Sequence, residues 1–214
     1  MGGRIMRHSI RHAFTMVETM LALAVTAIGI CSITALFPIG ATANMDAAME
    51  TYCGNAADEL LHYFKYHIAD LELGNKWNEY IKNATGNELL KEVNSAAEVD
   101  ALFGTIKLDA ADISKWHSAP LDDFPNIVQR NDGYEGVFLL YNLAGEDAWS
   151  SSVDVASINW AAIIVVTKTH LKINGSNVNY DYGVRLQADV SWPAAAPIAK
   201  RKRATYVLDV FKNN

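Results

Sequence analysis

One carboxylate lies inside the longest apolar run of this chain. The run extends from Phe14 to Ile39, and Glu18 is its only charged residue. An acidic side chain at the centre of a bilayer costs about 2.5–3.5 kcal/mol, and less near the interface. Glu18 therefore needs a partner or a purpose. No partner within the chain is evident, and a cation from another chain would resolve the problem.

The other polar residues predict neither a metal site nor a catalytic site. His62 and His67 are five positions apart and do not share a helix face, and the chain contains no zinc, hydrolase or phosphate-loop motif. Oxygen ligands for calcium could come from Asp122, Asp123, Asn131 and Asp132, but their spacing matches no known calcium loop. We therefore expect no cofactor, no metal and no enzymatic activity.

The segment Lys200-Arg201-Lys202-Arg203 is the only strong charge run. A solvated hairpin loop explains it without a partner. The alternative is a basic contact loop for an acidic neighbouring subunit or for phospholipid headgroups. The leader Met1–Ala13 carries three arginines and no acid, so the remainder has a formal charge of −9 against −6 for the whole chain. Because nucleic-acid binding needs positive charge, no nucleic-acid partner is expected.

The apolar run is long enough to cross a membrane. As a helix it would span roughly 39 Å, more than the hydrocarbon core of about 30 Å, and it exceeds the apolar core of about 7–15 residues in a signal peptide. Basic residues lie only on its N-terminal side, which predicts a cytoplasmic N-terminus and an extracytoplasmic body. A plain signal anchor would fit this pattern. Small residues that permit close helix approach are interleaved along the run, namely Ala22, Ala24, Ala27, Gly29, Ser32 and Ala35.

The start of the run resembles a known leader. Arg11-His12-Ala13, followed by Phe14-Thr15-Met16-Val17-Glu18 and a long apolar helix, is similar to the type IV prepilin motif, although Ala13 replaces the usual Gly. That family contains the type IV pilins, major and minor, and the pseudopilins of type II secretion. The resemblance implies cleavage between Ala13 and Phe14 by a prepilin peptidase and N-methylation of Phe14. It also implies that Glu18 pairs with the terminal amine of a neighbouring subunit.

The resemblance implies a structural function. The expected protein is a minor pilin or pseudopilin that crosses the bacterial inner membrane once and then packs through its N-terminal helix into a pilus or pseudopilus. Its partners would be the inner membrane, the prepilin peptidase and other pilin or pseudopilin subunits. The alternative is a signal-anchored envelope protein whose extracytoplasmic enzyme or ligand-binding domain never polymerises. The two filament types are not distinguished by this sequence.

The predicted fold is α+β and pilin-like, with a long N-terminal membrane-spanning helix packed on a four-stranded antiparallel sheet. Pro38 and Gly40 are expected to interrupt the helix with a kink, and an amphipathic helix should follow over 41–71. Its apolar stripe is interpreted as core packing and comprises Met45, Ala48, Met49, Tyr52, Cys53, Ala56, Leu60, Phe64 and Ile68. Because Cys31 and Cys53 are 22 positions apart on one helix, no disulfide should join them.

Alternating side chains predict four strands, over 136–142, 159–169, 182–192 and 204–211, with one face of the sheet wet. Local helical spacing predicts short helices over 78–82, 87–94 and 96–103 within an otherwise irregular region. The predicted organisation is a cleaved leader, a filament-core half-helix, an amphipathic half-helix, a variable region and the sheet. The corresponding ranges are 1–13, 14–39, 40–73, 74–134 and 135–214.

Overall fold

The computed structural model describes residues 15–69, 76–81, 90–109, 111–117, 121, 124–131, 136–144, 149–150 and 153–212. The fold is α+β, as predicted, with a long apolar N-terminal helix and an antiparallel sheet. The helices are α1 (Met16–Ala69), α2 (Lys76–Tyr80) and α3 (Ala96–Thr105). The strands are β1 (Ile127–Gln129), β2 (Val137–Leu143), β3 (Ile158–Thr169), β4 (Lys172–Ile173), β5 (Ser176–Asn177), β6 (Gly183–Trp192) and β7 (Lys202–Phe211). The chain divides into two compact units, Met1–Ala48 and Met49–Asn214.

Helix α1 continues through Pro38 and Gly40 without a break in helical structure, so the predicted interruption is wrong. Proline removes one backbone hydrogen bond, at a cost of about 3 kcal/mol. The long helical turns on both sides outweigh that single loss, and the Thr42 hydroxyl donates to the Pro38 carbonyl at 2.7 Å. A bend at Pro38 stays a prediction.

The main sheet has five strands in the order β1-β2-β3-β6-β7, all antiparallel, rather than the four predicted. The four predicted strands correspond to β2, β3, β6 and β7. Strand β1 was missed because three residues are too few to reveal alternation. The separate β4–β5 hairpin turns at Asn174 and Gly175, whose φ values of 51° and 81° suit a two-residue hairpin loop.

One face of the sheet packs against the second half of α1. The buried cluster joins Cys53, Leu60 and Phe64 of the helix to Leu186 and Val190 of β6, which confirms the core interpretation for most of the stripe. The stripe begins later than predicted, since its first buried member is Met49. Three predicted members, Met45, Ala48 and Tyr52, are exposed instead.

The opposite face is also covered, so the predicted single wet face is wrong over β2 and β3. A second core packs Val99 and Phe103 of α3, together with Trp116, against Leu139 of β2 and Ile163 of β3. The apolar run of β3 explains this, because a strand without polar alternation needs cover on both faces. Only the β6–β7 end keeps a polar outer face.

The segment before α3 is extended rather than helical. The Val93 amide donates to the Lys168 carbonyl at 3.1 Å, and the Lys168 amide donates to the Lys91 carbonyl at 3.0 Å. The predicted helix over 87–94 is therefore wrong for residues 90–94, because their backbone groups pair with the end of β3. Residues 82–89 lie outside the described part.

Candidate assembly helix and charged loop

Glu18 lies in the first turn of α1. Its amide donates to the Thr15 hydroxyl at 3.3 Å, so Thr15 caps the helix from the preceding position. A carboxylate here lies at the positive end of the helix dipole, which stabilises it by about 0.3–1 kcal/mol. Glu18 is exposed, and within the described part of the chain its carboxylate has no hydrogen-bond or ion-pair partner. The local helix thus offsets only a part of the cost of an acid in lipid.

Four hydroxyls of α1 within the apolar run are satisfied by the helix itself. Each donates to a carbonyl of the preceding turn: Thr19 to Met16 at 2.9 Å, Thr26 to Ala22 at 2.7 Å, Ser32 to Ile28 at 2.8 Å and Thr34 to Ile30 at 2.7 Å. Such back-bonding is how hydroxyls are satisfied where water is absent. Glu18 is therefore the polar side chain of this segment that its own helix leaves unpaired.

The rest of this surface is hydrocarbon. Twelve large apolar side chains between Met16 and Ile39 are each at least 60% exposed. They occur all around the helix rather than on one face, which is typical of a segment surrounded by lipid or by other helices. Among the described residues α1 is the one helix that is long and apolar enough to cross a membrane, which makes it a candidate membrane anchor.

The predicted processing residues, Ala13 and Phe14, lie outside the described residues. The structure therefore describes Glu18 and its helix. The Phe14 amine, which the family resemblance makes the partner of Glu18, lies outside the described residues. Cys31 is exposed, Cys53 is buried, and both are free thiols, as their separation along the helix predicts.

The basic run is not a uniformly solvated loop. Arg201 donates to the Ala196 carbonyl at 2.7 Å and to the Ile106 carbonyl at 3.4 Å. Arg203 forms an ion pair with Asp100 and stands over the Phe103 ring at 5.1 Å. Burial, together with the charge of Arg203, lowers the pKa of Arg201.

Two of the four predicted contact residues thus bind their own domain. Lys200 is exposed at the end of a short 3₁₀ turn, and Lys202 is exposed at the start of β7. The run joins β7 to α3 and to the segment that follows α3.

Sequence reasoning missed a second charged cluster. Arg130 is almost fully buried, with Asp112 at 3.7 Å and the Trp116 ring at 5.6 Å. Burial raises the pKa of Asp112, but hydrogen bonds from Lys115 and from the Lys107 amide, with the Arg130 charge, bring it below its usual value. The cluster joins the segment after α3 to β1. Its partners are too far apart in sequence for spacing to reveal them.

No metal cluster is found in the described ranges, where no three His, Cys, Asp or Glu side chains converge. Of the oxygen ligands considered for calcium, only Asn131 is described, and its backbone N–H donates to the Lys115 carbonyl at 2.8 Å. Asp122, Asp123 and Asp132 lie outside the described residues.

Comparisons with protein-family profiles, with curated proteins and with solved structures find no match for this chain.

Proposed function

We propose that this protein is a structural filament subunit, a minor pilin or pseudopilin of a type IV pilus or a type II secretion system. One observation carries the proposal. The apolar half of α1, up to Ile39, exposes large apolar side chains on all sides, and within the described part of the chain its only carboxylate, that of Glu18, has no partner. A plain anchor needs the hydrocarbon but has no use for the acid.

Proteolytic processing would supply the missing cation. Cleavage between Ala13 and Phe14 by a prepilin peptidase creates an ammonium four residues before Glu18. The Phe14 ammonium of one subunit then pairs with the Glu18 carboxylate of its neighbour. In a medium of low dielectric constant this pairing offsets the cost of burying either charge alone. The pair also sets the axial position of one helix against the next.

The same residues define the route of the protein. The basic leader keeps the N-terminus in the cytoplasm, the apolar half of α1 crosses the bacterial inner membrane, and the domain after it lies outside. During assembly the helix leaves lipid for the filament interior, where other subunits cover the same apolar surface. Of the basic run, Lys200 remains available to a neighbouring subunit or to headgroups.

The mature N-terminus tests this proposal. The intact mass of the protein from cells with an active prepilin peptidase should correspond to a chain that begins at Phe14 and carries one additional methyl group. In a strain without the peptidase, the same protein should keep Met1–Ala13. Retention of the leader when the peptidase is active would refute the proposal and favour an anchored envelope protein that never polymerises.

A further inference from the structure

The Met49–Asn214 unit contains a groove of about 490 Å³ between α1 and the strands β1, β2 and β3. Four aromatic residues line it, together with four residues whose side chains carry an amide or a carboxylate; the aromatic residues are Tyr52, Phe124, Tyr141 and Trp160. The polar residues are Asn55 and Glu59 on α1, Asn126 just before β1, and Asn142 on β2. The groove is independent of the apolar half of α1.

Tyr52 and Trp160 give the groove an apolar surface. The ring centroids of Tyr52 and Trp160 are 5.8 Å apart, and the ring planes differ by 26°, so the rings stack. Tyr52 is nevertheless 58% exposed. Because stacking on Trp160 uses one face of the exposed Tyr52 ring, the other face of that ring remains for a ligand. Exposed aromatic residues of this kind, with an apolar body and a polar tip, are common at binding sites.

The polar side chains around the rings are free to bind. The Asn142 side-chain oxygen accepts from the Asn159 amide at 3.1 Å, which leaves the NH₂ group of Asn142 as a donor. The side chains of Asn55, Glu59 and Asn126 are exposed and have no hydrogen-bond partner within the described part of the chain. The groove thus offers amide donors, amide acceptors and one carboxylate, and none of the described residues that line it is cationic.

We propose that this groove binds a neutral saccharide. A sugar ring has an apolar C–H face that suits the stacked rings, and its hydroxyls both donate and accept, as the amides of Asn55, Asn126 and Asn142 require. The absence of a cation in the lining disfavours an anionic ligand. Among the described residues the lining supplies one carboxylate, that of Glu59, whereas glycoside hydrolysis generally uses two that flank the scissile bond. The activity assigned to the groove is recognition of the saccharide.

Isothermal titration calorimetry on the full chain tests this inference. The protein is kept in a polyoxyethylene detergent, because a maltoside detergent would itself present a sugar. The probes are the neutral trisaccharides cellotriose, maltotriose and the trimer of N-acetylglucosamine. At least one should bind saturably with a Kd of about 1 mM or below. Raising the salt concentration should leave the Kd unchanged, because a neutral saccharide carries no charge that could pair with Glu59.

Variants locate the site. Tyr52→Ala and Asn126→Ala should each weaken binding at least about tenfold, which corresponds to about 1.4 kcal/mol. Both residues are exposed, so both variants should fold. The matched control is Tyr66→Ala, which removes another aromatic residue of α1 that is 65% exposed and does not line the groove. It should bind like the wild type.

Three outcomes would overturn the inference. One is the lack of saturable binding by any of the three probes up to about 20 mM. Another is binding that Tyr52→Ala leaves unchanged. The third is salt-dependent binding of a lysine-rich peptide, lost in Tyr52→Ala, without binding of any saccharide. That result would identify a cation site for a protein partner. None of them bears on the proposed filament role, which depends on Phe14 and Glu18.

Discussion

Glu18→Gln should prevent incorporation into filaments while leaving the chain in the membrane. The substitution keeps the shape of the side chain and removes its charge. In the proposed filament it would leave the Phe14 ammonium of a neighbour without a counter-ion, and breaking a buried pair costs about 3–5 kcal/mol. In the membrane it removes a penalty that is below about 2.5–3.5 kcal/mol, because Glu18 lies in the first helical turn rather than at its middle. Both effects favour the membrane-inserted chain, so incorporation should fall at least about 100-fold.

The assay compares the amount of the variant in sheared filaments with the amount in the membrane fraction, by quantitative immunoblot after capture of the principal filament subunit. Thr26→Val is the matched control. It also removes a polar group from the segment, but that hydroxyl already donates to the Ala22 carbonyl at 2.7 Å, so incorporation should be unchanged. The reasoning is refuted if Glu18→Gln is incorporated within about threefold of the wild type. Loss in both variants would indicate a general intolerance of the helix instead.

Two further predictions concern the Met49–Asn214 unit and are measured by denaturant unfolding of the full chain. A Cβ atom at Gly136 would lie 2.4 Å from the Val166 carbonyl oxygen, so Gly136→Ala should lower the free energy of unfolding by about 1–3 kcal/mol. The control is Gly104→Ala, which adds a Cβ atom in open space within α3 and should raise the free energy of unfolding by about 0.5–1 kcal/mol. Equal effects of the two substitutions would show that a Cβ atom at Gly136 does not clash with Val166. Burial and the charge of Glu50 raise the pKa of Cys53 to about 12 from 9.0, so the unfolded chain loses this proton first and stability falls as pH rises above 9, by roughly 1 kcal/mol at pH 10. Cys53→Ala should remove that part of the alkaline slope, and an unchanged slope between pH 8 and pH 10 would contradict the assignment.

The alternation of apolar and polar side chains along the chain was sufficient to predict the strands that have one polar side. The outer positions of β7, such as Thr205 and Asp209, are exposed between half-buried or buried neighbours, so the pattern determines which side faces the core. The apolar run of β3 lacks such alternation. Its second covering layer comes from α3 and the segment around Trp116. Helical spacing predicted a helix over 96–103, which corresponds to α3 (Ala96–Thr105), but the segment around Trp116 is irregular and leaves no periodic signal. That both segments pack on the outer face of the sheet could not be predicted from their local spacing.

The candidate sites divide in the same way. Glu18 is recognisable because its anomaly is local, a charge within an apolar run. The internal partners of the basic run are not local, since Arg203 and Asp100 are 103 positions apart. The groove depends on Tyr52 of the first helix and Trp160 of the third strand, which only the folded chain brings together. A residue that is unusual among its sequence neighbours, such as Glu18, can be found from the sequence. A site formed by residues far apart in sequence, such as the Tyr52–Trp160 groove, cannot.

The double burial of β3 creates a hazard whenever the Met49–Asn214 unit is unfolded. Its central segment, Ala161–Val166, is uncharged, lacks proline and glycine, and is rich in β-branched residues, which is the composition of cross-β aggregation segments. In the native sheet β2 and β6 occupy both edges of this strand, and the two cores cover both faces. Lys168 closes the segment with a charge that interrupts further stacking in an unfolded chain. A strand that contributes buried residues to both cores is thus one that must stay covered until folding is complete.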